Sequence, residues 1–121
     1  MKVPSMVGTL RDESGRVVCD RCTLARDPLT RMRGLLGRRG LPPGEGLLLH
    51  PAGSIHTFFM RFPIDAVFLD REQRIVRIAS HLRPWRAAAG KRSRFVLELA
   101  AGEAARLGLS PGDTLRLEGE G

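Results

Sequence analysis

The residues most able to do chemistry lie in one apolar stretch, IHTFFMRFPIDAVFLD, Ile55 to Asp70. His56 and Asp65 stand on either side of Phe62-Pro63, a dipeptide that forces the chain out of helical geometry. A return at that bend would bring them together, and a histidine oriented by a carboxylate can act as a general base. Arg33 or Arg61 could then hold an anionic substrate group by charge-assisted hydrogen bonds. No nucleophile is marked, however. The chain has no serine elbow, no HExxH, no phosphate-binding glycine loop and no dinucleotide fingerprint. No catalytic residue is therefore assigned; His56 and Asp65 are the pair to test if there is catalysis. The plainer reading is preferred: Asp65 accepts backbone or arginine hydrogen bonds at a strand entrance, and His56 donates one.

The other candidates divide in the same way. Phe58, Phe59, Met60 and Phe62 could line an apolar pocket beside His56, Thr57 and Arg61, the usual setting for a small ligand. With five phenylalanines in the chain, the stronger expectation is that most of them fill the core. Glu98 interrupts the apolar run Val96 to Leu99, and alternation sets it on the face of Val96. If that face is interior, the carboxylate needs a partner, for which Arg33 is the candidate.

Cys19 and Cys22 have the spacing of a redox dithiol or half a zinc site. A reactive dithiol needs a helix N-terminus to stabilise its thiolate, whereas this pair ends a strand-like segment. Zinc would need two of the scattered His50, His56 and His81 to converge. Two ordinary cysteines are expected, with no metal and no cofactor.

Charge offers one more possibility. The 121 residues carry a formal charge of +7, and all 20 cations except Lys2 and Lys91 are arginine. Arginine suits phosphates and carboxylates, but the accompanying richness in Ala, Gly, Leu and Pro is also what a GC-rich genome imposes. Within His81 to Arg94 there is no acid, and Arg83, Arg86, Lys91, Arg92 and Arg94 form an anion-binding candidate set with salt-sensitive attraction. Aromatic residues are only 5% of the chain, with Trp85 alone of its kind and no tyrosine. That disfavours a stacking platform for single strands and leaves nucleic acid a secondary possibility. No apolar run is long enough to span a bilayer, and no leader precedes the first acidic residues, so a cytoplasmic location is expected.

The elements that must position these groups are short. Val7 to Leu10 and Arg16 to Cys19 flank a polar turn and predict a hairpin. Asp27-Pro28 starts a helix to about Leu36 on the spacing of Leu29, Met32, Leu35 and Leu36. Strands are expected at Gly46 to His50, Ile55 to Met60, Ile64 to Leu69, Ile75 to Ile78, Phe95 to Leu99 and Thr114 to Leu117. A one-to-two-turn helix ends on Gly108. The stretch 81–94 reads as a long basic loop, and 1–6 and 119–121 as frayed ends of a single domain, 1–121. Seven or eight strands and two short helices predict a compact antiparallel β-barrel or sandwich.

The order Arg33-Gly34-Leu35, Glu45-Gly46, Phe59-Met60, Ile64-Asp65, Val96 to Leu99 with Ala101-Gly102, and Gly108 to Asp113 resembles the "domain of unknown function 192" family of bacteria and archaea. The resemblance runs from about Thr23 to Leu117. It implies a small, mainly β domain and no established reaction; the cysteine pair lies outside the pattern. The expectation is a non-enzymatic binding or accessory module with a cleft beside His56, Met60 and Asp65, receiving a small ligand or a protein segment. A cofactor-free acid/base hydrolase or lyase, or an arginine-mediated nucleic-acid contact, are the alternatives.

Overall fold

The structure is a computed structural model that describes residues 6–26, 35 and 38–119. Nine strands and one short helix follow in order: β1 (Met6–Asp12), β2 (Val17–Ala25), β3 (Glu45–Leu49), β4 (Ser54–His56), β5 (Ile64–Leu69), β6 (Ile75–Leu82), β7 (Ala87–Ala89), β8 (Phe95–Ala100), α1 (Glu103–Arg106) and β9 (Leu115–Gly119). Seven strands form one sheet in the order β6-β5-β8-β3-β2-β1-β9, and β4 pairs with β7 as a separate ribbon. The domain is thus mainly β, as expected, but the sheet is mixed. Strands β2 and β3 run parallel, made feasible by the long connection between them, since parallel neighbours cannot be joined by a tight turn. The helix expected at Pro28 to Leu36, and Arg33 with it, lies outside the described residues, apart from the buried Leu35.

The sheet curls without closing. Its two edge strands meet where Arg74 bridges Thr114, supported by Ile75 N–H donating to the Asp113 carbonyl at 2.8 Å and Leu115 N–H to the Gln73 carbonyl at 3.0 Å. The concave side holds one core, to which β5 and β8 contribute Val67, Leu69, Leu97 and Leu99, and α1 adds Ala104. On the convex side Ile64, Ala66, Phe68 and Val96 pack with Leu35, Leu41, Leu49, Ile55 and Met60 in a second cluster. Period-two alternation explains the division: each central strand is buried on both faces, so it reads as an unbroken apolar run. All six residues of β5 are buried.

Two local features fix the rest. Against β1, Gly8 faces Cys22 and Leu10 faces Cys19, so β2 carries one extra residue between the pairs. Such a bulge re-aims side chains, and it brings both cysteines into the concave core, each fully buried and free. The second feature is Gly90, after β7. A Cβ there would lie 2.7 Å from the Phe68 Cβ, so only glycine lets the ribbon lie this close to the sheet. The stretch 81–94, expected as loop, accordingly contains the end of β6 and all of β7.

Candidate functional site

Asp65 is buried completely, on the concave side. Its Oδ1 accepts from His81 N–H at 2.9 Å, and its Oδ2 from Gly102 N–H at 3.1 Å and Ala104 N–H at 2.9 Å. The carboxylate therefore ties the end of β6 and the start of α1 to β5. An acceptor brought to a helix start from outside satisfies amides that have no partner within the helix. His56, at the end of β4, is exposed and stacks on Phe58 with ring centroids 4.7 Å apart. The acid/base pair considered from sequence is not assembled. The Phe62-Pro63 bend sends Asp65 into β5 with its side chain on the face opposite the ribbon's.

Thr57 has an architectural role as well. It is fully buried, and its hydroxyl donates to the Arg83 carbonyl at 2.5 Å while accepting from Arg86 N–H at 2.9 Å. Its own N–H donates to the Arg86 carbonyl at 2.8 Å, and its carbonyl accepts from Trp85 N–H at 3.0 Å and from Met60 N–H at 3.1 Å. One threonine thus clasps two turns, 57–60 and 83–86. In each, the third residue is aromatic and left-handed: Phe59 at φ 67° and Trp85 at φ 65°. Glycine or asparagine normally occupies that position, and Pro84 in the second place of its turn is the usual companion.

The clasp gathers exposed rings. Phe58 stacks towards Trp85 at 5.9 Å, and Phe59 meets Trp85 at 4.6 Å with a tilt of 59°. Phe59 is 69% exposed and Trp85 56%. Beside them a shallow pocket of about 510 Å³ is lined by Ser54, Ile55, His56, Phe58 and Ala87 to Ala89. The expectation that the phenylalanines of this stretch fill the core fails for Phe58 and Phe59, because the two-turn clasp points them outward. Phe62 is half-buried, and Met60 is buried in the convex cluster instead of flanking a cleft. Trp85 was not singled out as a site residue, although a lone tryptophan after proline, between Arg83 and Arg86, was a readable signal.

Of the remaining candidates, Arg61, Arg83, Arg86, Lys91, Arg92 and Arg94 are exposed. None of them is in an ion pair among the described residues, where the pairs are Arg11 with Glu118, Arg38 with Glu45, Arg71 with Glu72 and Arg106 with Glu103. Glu98 lies on the convex side between Leu47 and Ala66 of the neighbouring strands. It is buried, and that burial pushes its carboxyl up to about 7, because an isolated charge is poorly solvated there. Its proposed partner Arg33 is outside the described residues. Cys22 is held well above the ordinary thiol range by its hydrogen bond with Cys19 and by burial. Among the described residues no three His, Cys, Asp or Glu groups converge as a metal site. None of the described helices is long and apolar enough to cross a membrane.

A curled mixed sheet with a clasped aromatic ribbon defines a small, mainly β domain. The chain belongs to the uncharacterized ACR family DUF192, whose sequence profile matches residues 9–117. A crystal structure of a "putative transcription regulator" from Sinorhizobium meliloti is similar, with 30% identity, a TM-score of 0.80 and coverage of 97% of this chain and 96% of that one. A protein of unknown function from Novosphingobium aromaticivorans is similar at 31% identity and TM-score 0.76, covering 93% and 84%. Among curated proteins, the UPF0127 protein PYRAB11210 of Pyrococcus abyssi is 39% identical over 61 residues, 50% of this chain and 51% of the relative. The UPF0127 protein PH1112 of Pyrococcus horikoshii is 46% identical over 46 residues, 37% and 39%. The matched region thus spans about half of one archaeal relative and 39% of the other.

Proposed function

We propose that this protein is a non-enzymatic binding module whose receiving surface is the pocket along the β4–β7 ribbon. The observation that carries the reading is the pocket's composition: an alanine floor, the Phe58 ring, and few polar groups, chiefly the exposed His56 and Ser54. Such a site takes a flat apolar body and orients it with one or two polar contacts. The exposed arginines nearby favour ligands with an anionic group. Relative to the cleft expected from sequence, the site keeps His56 and gives up Met60 and Asp65, which are sealed in the two cores.

Trp85 is the single tryptophan and stacks towards pocket-lining Phe58, so its fluorescence reports on occupancy. Titration with anilinonaphthalene sulfonate, a planar anion, is expected to give a saturable change that Ala87→Leu weakens by filling the floor. An unsaturable response, or one that Ala87→Leu leaves unchanged, would overturn the reading.

One observation favours a second reading. The Sinorhizobium relative is described as a "putative transcription regulator", which fits nucleic-acid contact through Arg83, Arg86, Lys91, Arg92 and Arg94. Titrating a labelled duplex at rising salt tests it, since phosphate contacts weaken steeply with salt; no association at low salt removes it.

A further inference from the structure

Among the described residues, three of the five large apolar side chains that stand exposed, Phe58, Phe59 and Trp85, are gathered on the two turns that Thr57 clasps. Single exposed apolar residues need no explanation, whereas a contiguous patch marks an interaction surface. The backbone sharpens the point. Phe59 and Trp85 both adopt left-handed φ, an uncommon state for bulky residues. Two such residues side by side, each kept exposed, are difficult to account for by packing of the domain itself.

The electrostatic setting identifies the occupant. The segments that build this face, 54–64 and 82–94, contain no Asp or Glu. Arg83 and Arg86 bracket Trp85, Arg61 follows Phe59 by two positions, and all three are exposed. Tryptophan and phenylalanine with flanking arginine is the composition that settles at the boundary between lipid headgroups and acyl chains. We propose that the paired turn tips dock this protein peripherally on anionic lipid surfaces, the Phe59 and Trp85 rings entering the headgroup boundary while Arg61, Arg83 and Arg86 meet lipid phosphates. A single-stranded nucleic acid fits less well. His56, Phe58 and Trp85 already stack on one another at 4.7 and 5.9 Å, so inner ring faces are covered and bases cannot slot between them. Lipid needs no such gap, because it closes around a convex apolar tip.

This inference uses the tips and not the pocket, so the two proposals can fail separately. The test is co-sedimentation of the full chain at low salt with phosphatidylcholine vesicles, with and without about one third phosphatidylglycerol, and Trp85 fluorescence with brominated acyl chains. Binding to the anionic vesicles only, with bromine quenching of Trp85, is expected. Phe59→Gly should weaken partition by roughly tenfold to a hundredfold, the worth of one buried phenylalanine ring. Glycine accepts the left-handed φ, so that variant stays folded and keeps its response to anilinonaphthalene sulfonate. Arg83→Gln with Arg86→Gln should weaken binding and flatten its salt dependence. No binding to anionic vesicles at low salt overturns the proposal. So does binding without acyl-chain quenching, which would leave only phosphate attraction, and so does a Trp85 response to an oligonucleotide with none to vesicles.

Discussion

Asp65 Oδ2 accepts the Ala104 N–H at 2.9 Å across 39 positions of sequence, so the first turn of α1 is fixed by a fully buried strand one place in from the edge of the sheet. Because Gly102, in the N-cap position, makes no side-chain cap, the strand supplies from outside what a Ser or Asp usually supplies locally. Removing the carboxylate with Asp65→Ala leaves three backbone donors without their acceptor. The expected loss is about 3 kcal/mol or more, by analogy with other buried charged hydrogen-bonded groups. Chemical denaturation measures it, and a change under about 1 kcal/mol would show that the carboxylate is dispensable.

Thr57→Val keeps the shape of the side chain and deletes the hydroxyl. Arg86 N–H then loses its acceptor in a partly buried setting, at a cost of about 1–3 kcal/mol. Hydrogen exchange should accelerate at Trp85 and Arg86 while the β5–β8 amides keep their protection, since the clasp lies outside the main sheet. Uniform acceleration would contradict a local role.

The Glu98 carboxyl gives stability a pH dependence with a definite sign. Its folded value is about 7 against an ordinary 4.5, so between those limits the folded protein holds a proton that the unfolded chain releases. Stability from this group is therefore full below the lower limit, falls as pH rises, and is wholly lost above the upper one. Glu98→Gln mimics the protonated acid. Its gain over the parent should be near zero at acid pH and grow to about 3 kcal/mol in mildly alkaline solution. Thermal unfolding followed across pH tests this, and a variant that is less stable at alkaline pH would mean that the carboxylate is ionised and paired.

Gly90→Ala places a methyl group against Phe68, 2.7 Å from its Cβ. Overpacking of this kind costs typically about 1–3 kcal/mol. The ribbon should shift outward, and the Trp85 emission should change even though Trp85 itself is untouched. An unaltered spectrum and unaltered stability would show that the ribbon moves freely over the sheet.

How much of this was legible in sequence depends on which forces act locally. Strand β5 was readable to the residue, because Ile64 to Leu69 is apolar on both faces and Pro63 marks its start. Glu98 was assigned to the face of Val96 by alternation alone, and it is there. Asp65 accepts backbone hydrogen bonds, as the plainer reading expects, but which ones is hidden in sequence, since His81, Gly102 and Ala104 are distant and offer only backbone amides, which no residue type advertises. Phe58 and Phe59 misled for the opposite reason. Hydrophobicity predicts burial, and nothing local reveals that a threonine will hold two remote turns together and hold their rings outward. The β2 bulge was equally hidden: strict alternation puts Cys19 and Cys22 on opposite faces, and one extra residue cancels it.

The bridge from Arg74 to Thr114 gives the molecule a seam. A fully cylindrical sheet has no margin at which another chain could add, whereas here β6 and β9 each have a strand neighbour on one side only among the described residues. Strand β9 bears the exposed Arg116, while Arg77 of β6 leans onto the ribbon, its guanidinium donating to the Ala89 carbonyl and lying over the Phe68 ring. A charged residue at such a margin disfavours edge-to-edge pairing, and the lean of Arg77 couples the β6 side of the seam to the ribbon.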